Sequence, residues 1–111
     1  MLSESMQKAL NKQVNEELYS AYIYLAISAY FESSNLKGFA HWMRMQSQEE
    51  VEHGMKFYDH INERGGKVTL LPLKEPPAEW DSPLAACVTA YKHEQKITGL
   101  IHDLVNLAVK E

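Results

Sequence analysis

Three long stretches of this chain repeat their apolar residues in alternating steps of three and four. That rhythm keeps one face of a helix apolar and leaves little choice besides a bundle of long helices. The first stretch runs from about Ser5 to Ser33, with Leu10, Val14, Glu17, Ala21, Tyr24, Ser28 and Phe31 along its seam. Ser33-Ser34-Asn35 breaks it. The second runs from about Leu36 to Arg64, with Phe39, Met43, Gln46, Glu50, His53, Phe57 and His60 on one face, and Gly65-Gly66 stops it. Asp81-Ser82-Pro83 opens the third, an N-cap candidate followed by proline at the first helical position. Its seam reads Leu84, Cys87, Tyr91, Glu94, Thr98, Ile101, Val105 and Ala108, and the pattern continues to Glu111.

The connections predict a topology. The short break near Asn35 makes the first two helices antiparallel neighbours. The second connection, from Gly65 to Trp80, can span roughly 50 Å when extended, against about 40 Å for the second helix. It is therefore long enough to cross the whole bundle and start the third helix parallel to the second. Its Leu70, Leu71, Leu73 and Trp80 suggest a packed strap. The expected fold is all-α: one domain over 1–111, an antiparallel helical bundle with helices at about 5–33, 36–64 and 83–111 and a long crossover at 65–82. The third helix stops in full apolar pattern. Three of four bundle helices are therefore expected here, with the domain incomplete at its C-terminus or its fourth wall supplied by another molecule.

Composition narrows the function classes. The 111 residues are 45% hydrophobic, enough for one core, and the formal net charge of −4 comes with no basic block. No nucleic-acid partner is expected. No stretch approaches the roughly 18 apolar residues of a membrane span, and the N-terminus lacks a signal-peptide pattern, so the expected location is cytoplasmic. The single cysteine, Cys87, reads as a packing residue and cannot form an intrachain disulfide.

The seams carry charge where a core does not want it. Glu17, Glu50 and Glu94 each sit near the middle of their helix, and a buried carboxylate must be neutralised, paired or bound to metal. Glu17 and Glu50 lie about 27 and 23 Å from the intervening turn, the same level within one helical turn. Glu94 falls at the height of Glu50 if its helix runs parallel. Glu50 and His53 add a Glu-x-x-His pair, which projects a carboxylate and an imidazole from one face. That pair is the unit of di-iron and di-manganese carboxylate bundles, for which ferritin-like proteins are the general example. Such donors suit Fe(II) and Mn(II), with zinc a competitor. No seam offers a mid-height Lys or Arg as a counter-charge.

Other residues divide. Tyr24, two turns beyond Glu17, either hydrogen-bonds a metal-bridging carboxylate or acts as a redox bystander, or else packs in the core, and Tyr91 poses the same choice. Glu49 flanks the site, where it guides or holds another iron or stays solvated. Glu52 reads as solvated, His60 and His102 as solvent-facing or packing, and Trp42 and Met43 as core. His93, beside Glu94, is expected to point off the seam.

With these residues in view, the sequence resembles the prokaryotic non-haem ferritins. Residues 11–22, Asn-Lys-Gln-Val-Asn-Glu-Glu-Leu-Tyr-Ser-Ala-Tyr, look like their first helix. Gly38 to Met43 and Gln48 to Tyr58 resemble the second, and Glu63 to Gly66 with Pro76 to Trp80 match the long crossover. The resemblance implies a ferritin-like bundle, iron storage and detoxification, a ferroxidase that oxidises Fe(II) with dioxygen or peroxide at a di-iron centre, and a homo-oligomeric cage of twenty-four subunits. By position it places Glu17, Glu50 and His53 on the first iron, Glu50 as bridge, Glu94 on the second iron and Tyr24 beside them. Glu49 matches a ligand of a third iron site. The family's fourth and fifth helices have no counterpart. No haem is expected, because the haem-binding relatives carry Met where Val51 stands. A rubrerythrin-like peroxidase would need a second Glu-x-x-His and a four-cysteine module. The alternative of another class is a truncated fragment that acts only as a helical assembly module.

Overall fold

A computed structural model describes residues 2–110 as three helices: α1 (Glu4–Ser33), α2 (Lys37–Glu63) and α3 (Pro83–Lys110). Among the described residues there is no strand. Met1 and Glu111, the expected limits of the domain, lie outside them. No helix among these residues is long and apolar enough to cross a membrane.

Local chemistry sets the helix ends. Ser3 caps α1, its Oγ accepting from the Met6 N–H at 3.1 Å. At the other end Asn35 takes a left-handed conformation, with φ of 60°. Its N–H then bonds the Glu32 carbonyl and the Leu36 N–H bonds the Phe31 carbonyl, which satisfies two of the carbonyls a helix end leaves open. The same arrangement closes α2. Gly65 has φ of 75°, its N–H bonds the Asn62 carbonyl, and the Gly66 N–H bonds the Ile61 carbonyl. At the start of α3, Ser82 Oγ accepts from the Ala85 N–H, with Pro83 at the first position.

α1 is the hub. Ser28 Oγ donates to the Ala40 carbonyl and Ser47 Oγ to the Ala21 carbonyl, both at 2.6 Å. Residue numbers rise along one helix as they fall along the other, so α1 and α2 are antiparallel. α3 shares a core cluster with α1 through Ala86 and Ala90, and the Tyr24–Glu94 and Glu16–Lys96 pairs make it antiparallel to α1 and therefore parallel to α2. No Cα of α2 comes within 8 Å of one in α3. The two helices flank α1 and leave the opposite corner open.

This geometry corrects the expected seams. All seven α1 positions are buried, because α1 is covered from two sides. On α2 the buried residues are Ala40, Met43, Ser47, Glu50, Gly54 and Ile61, so Phe39, Gln46, His53 and His60 sit to one side of the α1-facing stripe. On α3 the buried residues are Ala86, Ala90 and Ile97, one helical step from the expected Leu84–Tyr91–Glu94 line. The apolar stripes of α2 and α3 are wide, and only one edge of each meets α1. Trp42, expected in the core, is 49% exposed beside the open corner.

The crossover is held mainly by polar contacts. Leu70, Leu71 and Leu73 are exposed, contrary to the expectation of burial. Side-chain amides on α1 grip the strap backbone instead. Gln7 Oε1 accepts from the Lys67 N–H, Asn11 bonds the Lys67 carbonyl and Thr69 N–H, and Asn15 bonds the Thr69 carbonyl and Leu71 N–H. The spacings match: four helical residues advance about 6 Å and two extended residues about 6.6 Å. Val68 does pack on the cluster of Leu10, Val14 and Ile61. Trp80 is half-buried, donates to Thr89 Oγ1 and meets the Tyr30 ring edge-on.

Candidate metal centre

The antiparallel pairing of α1 and α2 sets Glu17 opposite Glu50. α2 comes close here because Gly54 sits over Glu17; a Cβ at that glycine would lie 3.5 Å from the Glu17 Cβ and from Leu18 Cδ2. His53, one turn along α2 from Glu50, turns its ring toward both acids. Its Nδ1 lies 3.6 Å from Glu50 Oε2 and 4.0 Å from Glu17 Oε2. One donor atom from each of these three residues falls within 4.8 Å of the others.

Burial makes this cluster costly as a protein-only arrangement. Glu17 is fully buried and Glu50 nearly so, while the His53 side chain is 48% exposed. Gln13 Nε2 donates to Glu17 Oε1 at 3.0 Å. Glu17 Oε2 and Glu50 Oε2 receive no hydrogen bond from any group outside this pair of acids. Burial, followed by the neighbouring carboxylates of Glu17 and Glu94, pushes the Glu50 carboxyl up to about 9. That shift favours the protonated form of Glu50 at neutral pH. Two hard carboxylate oxygens and one imidazole nitrogen, facing one another without protein partners, fit a divalent transition-metal ion.

Glu94 is not one of those three, but it lies close enough to Glu50 to raise its pKa. It reaches α1 through Tyr24, whose hydroxyl donates to Glu94 Oε1 at 2.6 Å. The Tyr24 ring packs in the core and its hydroxyl holds a carboxylate. Burial first, and then the charges of Glu94, Glu50 and Glu17, push the Tyr24 phenol above its ordinary range, so it remains a donor. Glu94 itself is exposed. It closes one end of a hollow of about 220 Å³ between α2 and α3, lined by Trp42, Met43, Gln46, Cys87 and Tyr91 among others. Tyr91 is 60% exposed there. Cys87 is half-buried against the core, Met43 is buried, and Glu49, Glu52 and His102 are exposed.

Two residues were not legible as neighbours of the site. His93, expected off the seam, packs between the rings of Tyr19 and Tyr24, at 5.8 and 6.4 Å between centroids. Burial, and then Lys96, lower its pKa, with Glu16 and Glu94 acting the other way. Gln13 gave one usable signal, a Gln four residues before a Glu on the same helical face.

A match to the Ferritin-like domain family extends over residues 7–111. The chain belongs to the ferritin-like family. It is 39% identical over 111 residues to the bacterial non-heme ferritin of Bacteroides fragilis strain 638R, covering all of this sequence and 70% of that one. It is 35% identical to the bacterial non-heme ferritin of Staphylococcus saprophyticus, covering 66% of that protein. Among solved structures, an open-pore ferritin from the archaeon Archaeoglobus fulgidus superposes with a TM-score of 0.96 at 54% identity. The match covers 99% of this chain and 68% of the archaeal one. This ferritin-family protein thus spans about two thirds of the length of the relatives it matches, and the shared part includes all three helices and the strap.

Proposed function

We propose that this chain oxidises Fe(II) and stores the ferric product as a subunit of a homo-oligomer. In this reading Glu17, Glu50 and His53 hold one iron and Glu50 bridges to a second. Glu94 holds that second ion, with Tyr24 beside it. The observation that supports it best is the pair of buried carboxylate oxygens, Glu17 Oε2 and Glu50 Oε2, with no protein partner and an imidazole nitrogen within 4.0 Å of both. A buried polar atom left unpaired costs about 1–3 kcal/mol, more when charged, and a bound cation removes that cost. The names of the relatives supply the metal, since they are non-heme ferritins.

The residues have separable parts in the reaction. Glu50 gives up its proton as Fe(II) enters, so uptake releases a proton. Tyr24 holds one oxygen of Glu94 and leaves the other for metal. Two Fe(II) ions supply two electrons, which take dioxygen and two protons to hydrogen peroxide, or hydrogen peroxide and two protons to two waters. Carboxylate ligands offset the charge gained by the ferric products. Glu49 is exposed on α2 and is proposed as a ligand of a further iron. The open corner, with Trp42 and Tyr91 at its edge, is proposed to be covered by assembly. A monodisperse monomer by light scattering would count against that part.

Aerobic addition of Fe(II) tests the chemistry, with ferric absorbance followed beside a Glu50→Ala control. Rapid oxidation that requires Glu50 is expected. Equal rates in the two proteins would refute the role given to Glu50.

A further inference from the structure

One buried polar side chain on α1 has no part in the proposed reaction. Gln13 is 3% exposed and lies one turn before Glu17. A Leu or Met would fill that space without the desolvation cost of a primary amide. The amide is oriented by its neighbour: only the N–H side can face a carboxylate without repulsion, and Nε2 donates to Glu17 Oε1 at 3.0 Å. The consequence falls on the second oxygen. Oε1 is tied to the helix that carries it, while Oε2 is unpartnered and lies 4.0 Å from His53 Nδ1. An untethered carboxylate can present one oxygen or both to a cation. To present both, this one must turn Oε1 away from the amide that holds it or share it with the ion, and either weakens a charge-assisted hydrogen bond at a fully buried side chain.

We propose that Gln13 is a positioning residue that makes Glu17 a one-oxygen metal ligand, leaving a coordination position on the first ion free. The inference rests on the metal-binding reading of Glu17, Glu50 and His53. It goes further in naming what fixes the coordination mode. Ligand-orienting hydrogen bonds of this kind shape metal sites as much as the ligands do. A residue that only fills space or shields Glu17 would change stability and leave the coordination mode alone.

Anaerobic Co(II) binding to the full-length protein separates the two. The visible band of Co(II) weakens as its coordination number rises. Gln13→Met keeps the length of the side chain and removes the donor. Its Co(II) band should be weaker by roughly twofold or more, as Glu17 swings to bind through both oxygens. Gln13→Asn, too short to reach, should behave the same way and provides the measurement if the Met variant does not fold. Within a Glu17→Gln background, Gln13→Met should leave the band unaltered. A parent-like band in a folded Gln13 variant overturns the inference, even if that variant melts earlier. Failure of the parent itself to bind Co(II) overturns the metal-site reading and this inference with it.

Discussion

Replacing Glu50 with Gln should make the metal-free protein more stable at neutral pH, because the native carboxyl must take up a proton to be buried. Its pKa rises from an ordinary 4.5 to about 9. Between those values the folded chain binds a proton that the unfolded chain has lost, so stability falls as pH rises. The slope for one proton is about 1.4 kcal/mol per pH unit. From 4.5 to pH 7 that amounts to roughly 3.4 kcal/mol at full strength. Solvent reaching the half-exposed His53 ring beside Glu50 screens part of it. Half the full value, about 2 kcal/mol, is the difference expected between the Glu50→Gln variant and the parent at pH 7. The contribution is fully present below pH 4.5, so the two proteins should converge there, and the gap should stop widening above pH 9. Urea unfolding followed by helical circular dichroism, in chelator at about pH 5, 6, 7 and 8, measures it. Parallel pH profiles for the two proteins, or a variant less stable than the parent at pH 7, would refute the reasoning.

Two further outcomes test the scaffold. Asn11→Ala removes the side chain that bonds both the Lys67 carbonyl and the Thr69 N–H; it should cost about 1–2 kcal/mol and speed proteolysis within residues 67–73, read by limited digestion. Gly54→Ala should be tolerated, since its Cβ would sit at ordinary contact distance from Glu17 and Leu18, whereas Gly54→Leu should pry α2 from α1 and weaken metal binding at least tenfold by titration.

The sequence carried most of the backbone plan because its signals are local. Asn35, Gly65-Gly66 and Ser82-Pro83 punctuate the helices through their own φ preferences and caps. The length of the crossover was enough to set α3 parallel to α2. α1 was legible along its whole seam because both of its neighbours bury it. The α2 and α3 seams were less so. Periodicity reports the whole apolar stripe, while burial here depends on which edge of the stripe meets α1. That is why Met43 is buried and Trp42 is not, and why Ala86 and Ala90, small and unassertive in a pattern, make the α3 contact. The strap leucines misled for a related reason: amide groups at Gln7, Asn11 and Asn15 hold the backbone, and hydropathy does not register them. At the site, Glu17, Glu50 and His53 meet as spacing and helix direction imply. The Tyr24–Glu94 bond and the Gln13–Glu17 bond depend on side-chain rotamers, which periodicity does not carry.

The proposed di-iron centre is tested most directly by X-ray absorption at the iron edge of the anaerobic Fe(II)-loaded protein. His53 is the only histidine in that centre. An oxygen-dominated first shell with about one imidazole for every two irons is expected, with loss of that imidazole signal in His53→Ala. An iron shell without imidazole, or one that is the same in parent and His53→Ala, would contradict it.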